Sequence, residues 1–156
     1  MLLEHSQPNC HTIYLHNSDE TTIKKEFDRN GFDSNTLLNN HTLELYHTHD
    51  SYLINGVFIA NRMFEFWQER IAAVQSKGIN KIFLTGEMGW ALQDKPGCEN
   101  LHVYEAQLNK LLQTLPEVTV LCQYSLTEFS SEDILKSVCT HPHVQVENQL
   151  LKIIHL

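Results

Sequence analysis

The chain has 156 residues, of which 42% are apolar and 19% charged, so it is neither a disordered chain nor a coiled coil, and we expect one domain over residues 1–156. Its formal charge is −8 and it has no large cluster of lysine and arginine, which argues against direct binding to DNA or RNA. No apolar run approaches the roughly 18 residues of a membrane span and the N-terminus does not resemble a signal peptide, so we expect a cytoplasmic protein that makes no contact with a membrane.

The spacing of apolar residues predicts strands and helices in alternation. In chain order the predicted elements are a strand at 11–16, a helix from Ser18 or Asp19 to Asn30, a strand at 42–46, a helix at 58–77, a strand at 81–85, a helix at 99–115, a strand at 118–124, a helix at 131–138 and two short strands at 144–146 and 150–154. The helix at 58–77 has the strongest pattern, because apolar residues recur there every three or four positions.

This order predicts an α/β fold, a three-layer sandwich whose mainly parallel sheet lies between helices, because parallel strands need crossover connections. The last two strands are expected to pair antiparallel at an edge of that sheet. In open α/β sheets, ligands bind at the carboxyl ends of the strands, near the point where the strand order reverses. The residues that directly follow the strands are therefore the first candidates for a site.

The segment from Thr85 to Trp90 is the most unusual of these strand ends. Two glycines flank Glu87, and glycine permits a sharp turn and a close approach of the backbone. Glu87 is therefore predicted to accept hydrogen bonds from a ligand, to hold a metal or to act as a general base. The structural alternative is a turn in which Glu87 bonds nearby backbone.

A second carboxyl group, Glu105, follows Tyr104 on the helix at 99–115. Close to Glu87 it would complete an acid/base pair or a cation site. A solvated charge on the helix face is the more frequent outcome for such a residue. Tyr104 belongs to the apolar stripe of the same helix.

Ten histidines raise the question of a metal site. The pairs His47-x-His49 and His141-x-His143 each place two possible ligands on one side of a strand. No complete ligand set such as HExxH is present and no two cysteines form a CxxC pair, so no metal ligand is predicted. Cys122, in an apolar strand, is expected to be a reduced core residue.

Several signatures of catalysis and nucleotide binding are absent. The sequence has no GxxxxGK[ST] and no GxGxxG, and no lysine closely follows Gly86 and Gly89. It also has no GxSxG elbow and no recognisable cysteine nucleophile. We therefore assign no catalytic residue, and the sequence identifies no cofactor.

Taken together, the motifs resemble the MEDS family, a sensory domain named for methanogens, methylotrophs and the regulator DcmR. The resemblance covers about residues 10–150. It rests on TGEMGWA at 85–91, Tyr104-Glu105 with Asn109, LCQY at 121–124 and His141-Pro142. The GEMxWA and YE elements are specific together, whereas each alone is weak.

The family is similar to RecA-like and KaiC-like folds but generally lacks a working phosphate-binding loop, which agrees with the missing signature. Its members are regarded as ligand sensors that accompany DNA-binding, histidine-kinase or anti-sigma-type domains. The resemblance implies a non-catalytic sensory domain that binds a small molecule and signals through a partner protein of the kinase, anti-sigma or transcription-regulator type. The predicted ligand contacts are Thr85, Glu87, Met88, Trp90, Tyr104, Glu105 and Tyr124.

The chain departs from the family pattern in two places. Family members usually begin with a strand that contains His and Cys and a long helix, of which only Asn9-Cys10-His11 is faintly similar here. Without that unit an edge of the sheet would stay open, and open edges favour pairing, so we expect a homodimer or another partner. In addition, Ser125 stands where many members have Asp.

Two other functions stay open. One is an enzyme that uses Glu87 and Glu105 as acid and base groups on a nucleotide or a metal-bound substrate. The other is an interaction module with a vestigial pocket, which the shortened start and Ser125 favour.

Overall fold

A computed structural model describes residues 10–146 and the backbone of residues 149–152. In chain order its helices and strands are β1 (Cys10–His16), α1 (Glu20–Arg29), α2 (Ser34–Asn39), β2 (Leu43–His47), α3 (Ala60–Gln75), β3 (Lys81–Glu87), α4 (Leu101–Leu112), β4 (Val118–Gln123), α5 (Ser131–Thr140), β5 (His143–Val146) and β6 (Gln149–Lys152). Among the described residues, none of the helices is both long and apolar enough to cross a membrane.

Four parallel strands form the sheet, in the order β2-β1-β3-β4. Tyr14 of β1 lies between Leu45 of β2 and Thr85 of β3. The chain runs outward from β1 to β2 and then returns to the other side of β1 as β3. The strand order therefore reverses between β1 and β3, and a ligand site is expected at the carboxyl ends of these two strands.

Helices cover both faces of the sheet, as the alternation of side chains along β1 requires. Ile13 and Leu15 join a large apolar cluster that includes side chains of α3 and α4. Tyr14 points to the other face, where Ile23 and Phe27 of α1 form a second cluster. The predicted α/β sandwich with a parallel sheet is confirmed.

Stacked aromatic rings form the centre of the large cluster, close to the strand ends. Trp90 stacks on Tyr52, with ring centroids 4.7 Å apart, and its ring lies 4.4 Å from that of Phe58. The ring of Tyr104 meets Phe58 edge-on, and its hydroxyl accepts a hydrogen bond of 2.8 Å from Trp67 Nε1. Burial raises the pKa of the Tyr104 hydroxyl far above its usual range, so it stays protonated.

Two features of the fold differ from the sequence prediction. The last two strands do pair antiparallel, but they form a separate two-stranded sheet and not an edge of the parallel sheet. The last predicted residues of that pair, 153–154, lie outside the described residues. A short helix, α2, also stands where no element was predicted; the Asp33 side chain caps it by accepting a hydrogen bond from the Thr36 N–H at 3.0 Å.

A partly buried contact between a histidine on β1 and a carboxyl group on β2 predicts how the free energy of unfolding depends on pH. His11, which is fully buried, lies with Nε2 3.1 Å from Oε1 of Glu44, and Tyr46 donates to Oε2 at 2.8 Å. The hydrogen bond from His11 is the main reason that the pKa of Glu44 is below its ordinary value. A lowered carboxyl pKa adds stability above the ordinary pKa, and this stability is lost as the pH falls through the native pKa.

Glu44→Gln is therefore expected to lower the free energy of unfolding by about 1 kcal/mol at neutral pH and by less in acid. Urea unfolding from pH 7 down to pH 3 measures both values. Glu26→Gln, at an exposed pair with Arg29 on α1, should follow the wild-type pH curve. A loss at Glu44 that is equal at all pH values would contradict this prediction.

Candidate functional site

A small cleft lies at the carboxyl ends of β1, β3 and β4, where the strand order reverses. We call it the strand-end cleft; its volume is about 270 Å³. The residues that line it are Asn17, Glu87, Gly89, Gln123, Tyr124, Ser125 and Glu128. The cleft lies at the edge of the sheet where the sequence predicts a site, because the carboxyl ends of parallel strands meet there. That a ligand binds in it stays a prediction.

Glu87, the last residue of β3, is held in this cleft by two hydrogen bonds, one from β1 and one from the residue that follows β1. The hydroxyl of Tyr14 donates to Oε1 at 2.5 Å, and the backbone N–H of Asn17 donates to Oε2 at 2.8 Å. Burial, together with the bond to Glu87, raises the pKa of Tyr14 well above its usual range, so Tyr14 remains a donor. Glu87 therefore has a fixed orientation across the reversal point.

The two glycines beside Glu87 let other groups come close. A Cβ atom on Gly86 would lie 2.5 Å from the hydroxyl of Tyr52 and 3.0 Å from the Met88 methyl carbon, so a larger residue would displace the aromatic core. A Cβ atom on Gly89 would meet the side-chain nitrogen of Asn17 at 3.0 Å. The first glycine serves packing, and the second keeps the wall of the cleft open.

Gln123 connects the cleft to the interior of the sheet. Its side-chain amide donates to Oγ1 of Thr85 at 2.8 Å, and Thr85 donates in turn to the carbonyl of Leu121 at 3.0 Å. Thr85 is itself buried, so it supports Gln123 from beneath and does not line the cleft.

Glu105 is buried, with 1% of its surface exposed. The expectation that it is a solvated charge on the helix face is therefore wrong. Its Oε1 accepts a hydrogen bond of 2.6 Å from the hydroxyl of Tyr124. Burial and the nearby Glu105 raise the pKa of Tyr124 far above its usual range. Glu87 accepts a hydrogen bond from Tyr14, whereas Glu105 accepts one from Tyr124. The two carboxyl groups thus belong to different sets of contacts, and this arrangement does not favour an acid/base pair.

A larger cavity lies on the outer side of β4, and we call it the side cavity. Its volume is about 390 Å³, and its walls come from β4, α5 and β5. Tyr124 lines both the side cavity and the strand-end cleft. Cys122 and His141 also line the side cavity, and Cys122 packs against the main cluster as the sequence predicted.

The other histidine pair makes a different arrangement. The rings of His47 and His49 stack 5.1 Å apart. His47 Nδ1 accepts a hydrogen bond from the backbone N–H of His49, and Nε2 lies 3.1 Å from the carbonyl of Asn17. Both nitrogens of His47 are therefore occupied.

Of the seven predicted ligand contacts, the structure places Glu87 and Tyr124 in the strand-end cleft. Trp90, Met88 and Tyr104 lie in the apolar core, and contact between them and a ligand stays a prediction. The cleft residues that were not among these contacts are Asn17, Gly89, Gln123, Ser125 and Glu128. Asn17 follows β1 directly, so strand-end position marks it, whereas Glu128 lies in a loop that no motif distinguishes.

Comparison with known proteins agrees with these motifs. The sequence profile of the family described as "MEDS: MEthanogen/methylotroph, DcmR Sensory domain" matches residues 5–142. The chain is also similar to the transcriptional repressor DcmR of Methylorubrum extorquens, with 30% identity over 79 residues. That alignment covers 51% of this chain and 30% of the repressor. No solved structure matches the chain at a significant level.

Proposed function

Because the chain belongs to the MEDS family of sensory domains, we propose that it binds a small molecule in the strand-end cleft and passes the change to a partner protein without catalysis. The observation that carries this proposal is Glu87, which Tyr14 and Asn17 hold at the reversal of the strand order. The resemblance to a transcriptional repressor supports a regulatory role.

The lining of the cleft favours a ligand that donates hydrogen bonds. Glu87 and Glu128 supply two carboxyl groups, and none of the seven lining residues carries a positive charge. Each carboxylate oxygen of Glu87 has a lone pair beyond the one already used, so it can accept a further bond. An amine or another N–H donor suits this charge, whereas a phosphate would meet like charges.

The same geometry favours binding over proton transfer. Both oxygens of Glu87 already accept bonds from fixed donors, and Glu105 belongs to a different set of contacts. An enzyme that used the two carboxyls together would need them to face one reacting group. The proposal therefore treats Glu87 as an anchor for the ligand.

A thermal-shift screen tests the binding site. We expect small amines or amides to raise the melting temperature, and nucleotides and sugar phosphates to leave it unchanged. A ligand at 100 times its Kd adds about 2.7 kcal/mol of stability, which such a screen detects easily. Glu87→Gln should abolish the shift, whereas Glu132→Gln, at an exposed pair with Lys136 on α5, should preserve it.

The screen has outcomes that would contradict the proposal. Stabilisation by phosphates that survives Glu87→Gln would exclude this cleft as the site. Turnover of a nucleotide that disappears in Glu87→Gln, with the fold intact, would favour the enzyme alternative.

The partner forms the second half of the proposal. Large apolar side chains are exposed on α5 and in the chain segments before and after it, at Leu135, Leu126 and Val146. Exposed apolar side chains suit contact with a second copy of the chain or with another regulator. Recovery of a bound protein in a pull-down, and a change in that binding on adding the stabilising ligand, would support a sensor. A partner that binds Glu87→Ala equally well, whatever the ligand, would favour the interaction module.

A further inference from the structure

Three side chains with different metal-binding atoms meet beside the side cavity. Glu105 comes from α4, Cys122 from β4 and His141 from the residue after α5. One oxygen, the sulfur and one ring nitrogen all lie within 4.8 Å of one another. We propose that these residues bind a divalent metal ion of the zinc type, at a site separate from the strand-end cleft.

His141 is already oriented as a metal ligand. Its Nδ1 lies 2.8 Å from the backbone carbonyl of Ser137. A carbonyl oxygen only accepts, so Nδ1 carries the proton, and the lone pair that a metal ion would take is the one on Nε2. Nε2 is 3.6 Å from Oε1 of Glu105. A bond from the distal nitrogen to a backbone carbonyl is the usual way in which a protein fixes the tautomer and direction of a ligating histidine.

The position of His141 is secured in turn from α4. The side-chain amide of Asn109 donates to the carbonyl of Thr140 at 2.7 Å. Asn109 lies one helical turn after Glu105, so the same helix positions two of the three ligands. The site therefore does not depend on a loop to bring its members together.

Glu105 has an oxygen that lacks a hydrogen bond. Tyr124 bonds Oε1, whereas Oε2 is buried and accepts no hydrogen bond from any described residue. Nδ1 of His102 lies 3.7 Å from Oε2, which is too far for a hydrogen bond. A buried carboxyl oxygen without a donor is unfavourable, and a cation is one of the few partners that satisfies it.

The ligand atoms select among metals. A thiolate, an imidazole and a carboxylate together are ligands of zinc, while calcium and magnesium take oxygen. Around tetrahedral zinc, ligand atoms at bond lengths of about 2.0–2.3 Å lie about 3.3–3.8 Å apart. The present spacing therefore requires a shift of about 1 Å toward the ion, and Cys122 loses its proton on binding.

Three protein ligands leave a fourth position, which the side cavity provides. Cys122 and His141 both line this cavity, so a metal between them would face its interior. Water or a small molecule would occupy that position. Sites with three protein ligands and one exchangeable position are the reactive or sensing type, whereas structural zinc sites are closed by four.

Cobalt(II), a spectroscopic substitute for zinc, tests the proposal on the full chain, purified without a tag and stripped of metal. We expect one equivalent to bind with a near-ultraviolet thiolate-to-cobalt absorption band and the visible bands of tetrahedral cobalt, and one equivalent of zinc to displace it. The sulfur band should disappear in Cys122→Ser. Affinity should fall at least 10-fold in Glu105→Gln and in His141→Ala, and about 10-fold to 100-fold in Tyr124→Phe, because Tyr124 orients Glu105.

Matched controls separate this site from other side chains. Cys139→Ser changes an exposed free cysteine, and His49→Gln changes an exposed histidine that does not line the side cavity; both should keep the wild-type spectrum. Glu87→Gln should also keep it, so failure of this proposal and failure of the strand-end cleft are distinguishable.

The wild-type chain alone can overturn the proposal. Absence of a sulfur-to-cobalt band in the folded protein would exclude Cys122 as a ligand, whether or not any variant folds. A band that is lost in Cys139→Ser would assign the metal to the exposed cysteine. Circular dichroism of each variant confirms that a lost band reflects a lost ligand.

Discussion

Gly97→Ala is expected to destabilise the protein by about 2–5 kcal/mol, a fall in melting temperature of roughly 5–20 °C for a chain of this size. Gly97 has a φ of 90°, in the left-handed region that disfavours other residues. An added Cβ atom would also overlap the carbonyl oxygen of Phe58 and lie 3.0 Å from its carbonyl carbon. Backbone cannot move aside as a flexible side chain can, so the overlap must displace the loop.

The close approach at Gly97 positions the aromatic core. The N–H of Phe58 donates to the carbonyl of Pro96 at 3.0 Å, so the segment before α4 is attached to the segment before α3. The ring of Phe58 lies between Trp90 and Tyr104. A displaced loop would therefore disturb the residues next to Glu105.

Gly31→Ala is the matched control for this prediction. Gly31 has a φ of 85°, but an added Cβ atom would meet nothing within 4 Å. The Gly31→Ala variant should lose only the free energy that a residue with a Cβ atom pays for a left-handed backbone, about 1–2 kcal/mol. The difference between the two variants in thermal unfolding measures how much stability the overlap with Phe58 costs. Equal losses of stability in the two variants would show that this overlap has no effect.

Trp90→Ala is expected to lower the free energy of unfolding by about 3–5 kcal/mol, because it leaves a cavity among buried rings. Trp90 is fully buried, and its ring contacts both Tyr52 and Phe58. Leu126→Ala, at a side chain that is 70% exposed, should change stability by less than about 0.5 kcal/mol. Denaturant midpoints of the two variants measure the difference.

This result bears on the predicted role of Trp90. A large loss of stability without ligand present would show that Trp90 holds the core together. A Trp90→Ala variant that keeps the wild-type midpoint would contradict the packing role and would favour direct contact with a ligand.

The architecture could be predicted because the pattern of apolar residues in each main element distinguishes a strand from a helix. Continuous apolar runs at β3 and the three-to-four spacing of α3 leave little ambiguity, and their alternation implies parallel pairing. The helix α2 has only six residues, too few to show a helical period; its Asp33 cap stabilises it. Where β5 would pair depends on tertiary contacts, and its four residues do not specify them.

The candidate site could be predicted only in part. Glu87 and Tyr124 could be predicted, because each lies at the carboxyl end of a strand that the sequence identifies. The burial of Glu105 and its approach to Cys122 and His141 depend on how α4 and α5 pack, since these residues are far apart in sequence and share no motif spacing. The bond between Tyr14 and Glu87 likewise arises from the pairing of β1 with β3.

The strand order also determines when the site can form during synthesis. Both partners of β1 lie downstream: Tyr14 is opposite Leu45 and opposite Thr85, the latter about 70 residues further along the chain. At typical ribosomal rates of about 5–20 residues per second, β1 emerges several seconds before β3 exists. A strand in the middle of the sheet is thus made before both of its neighbours, and one of its two edges stays unpaired until residue 87 is free of the ribosome.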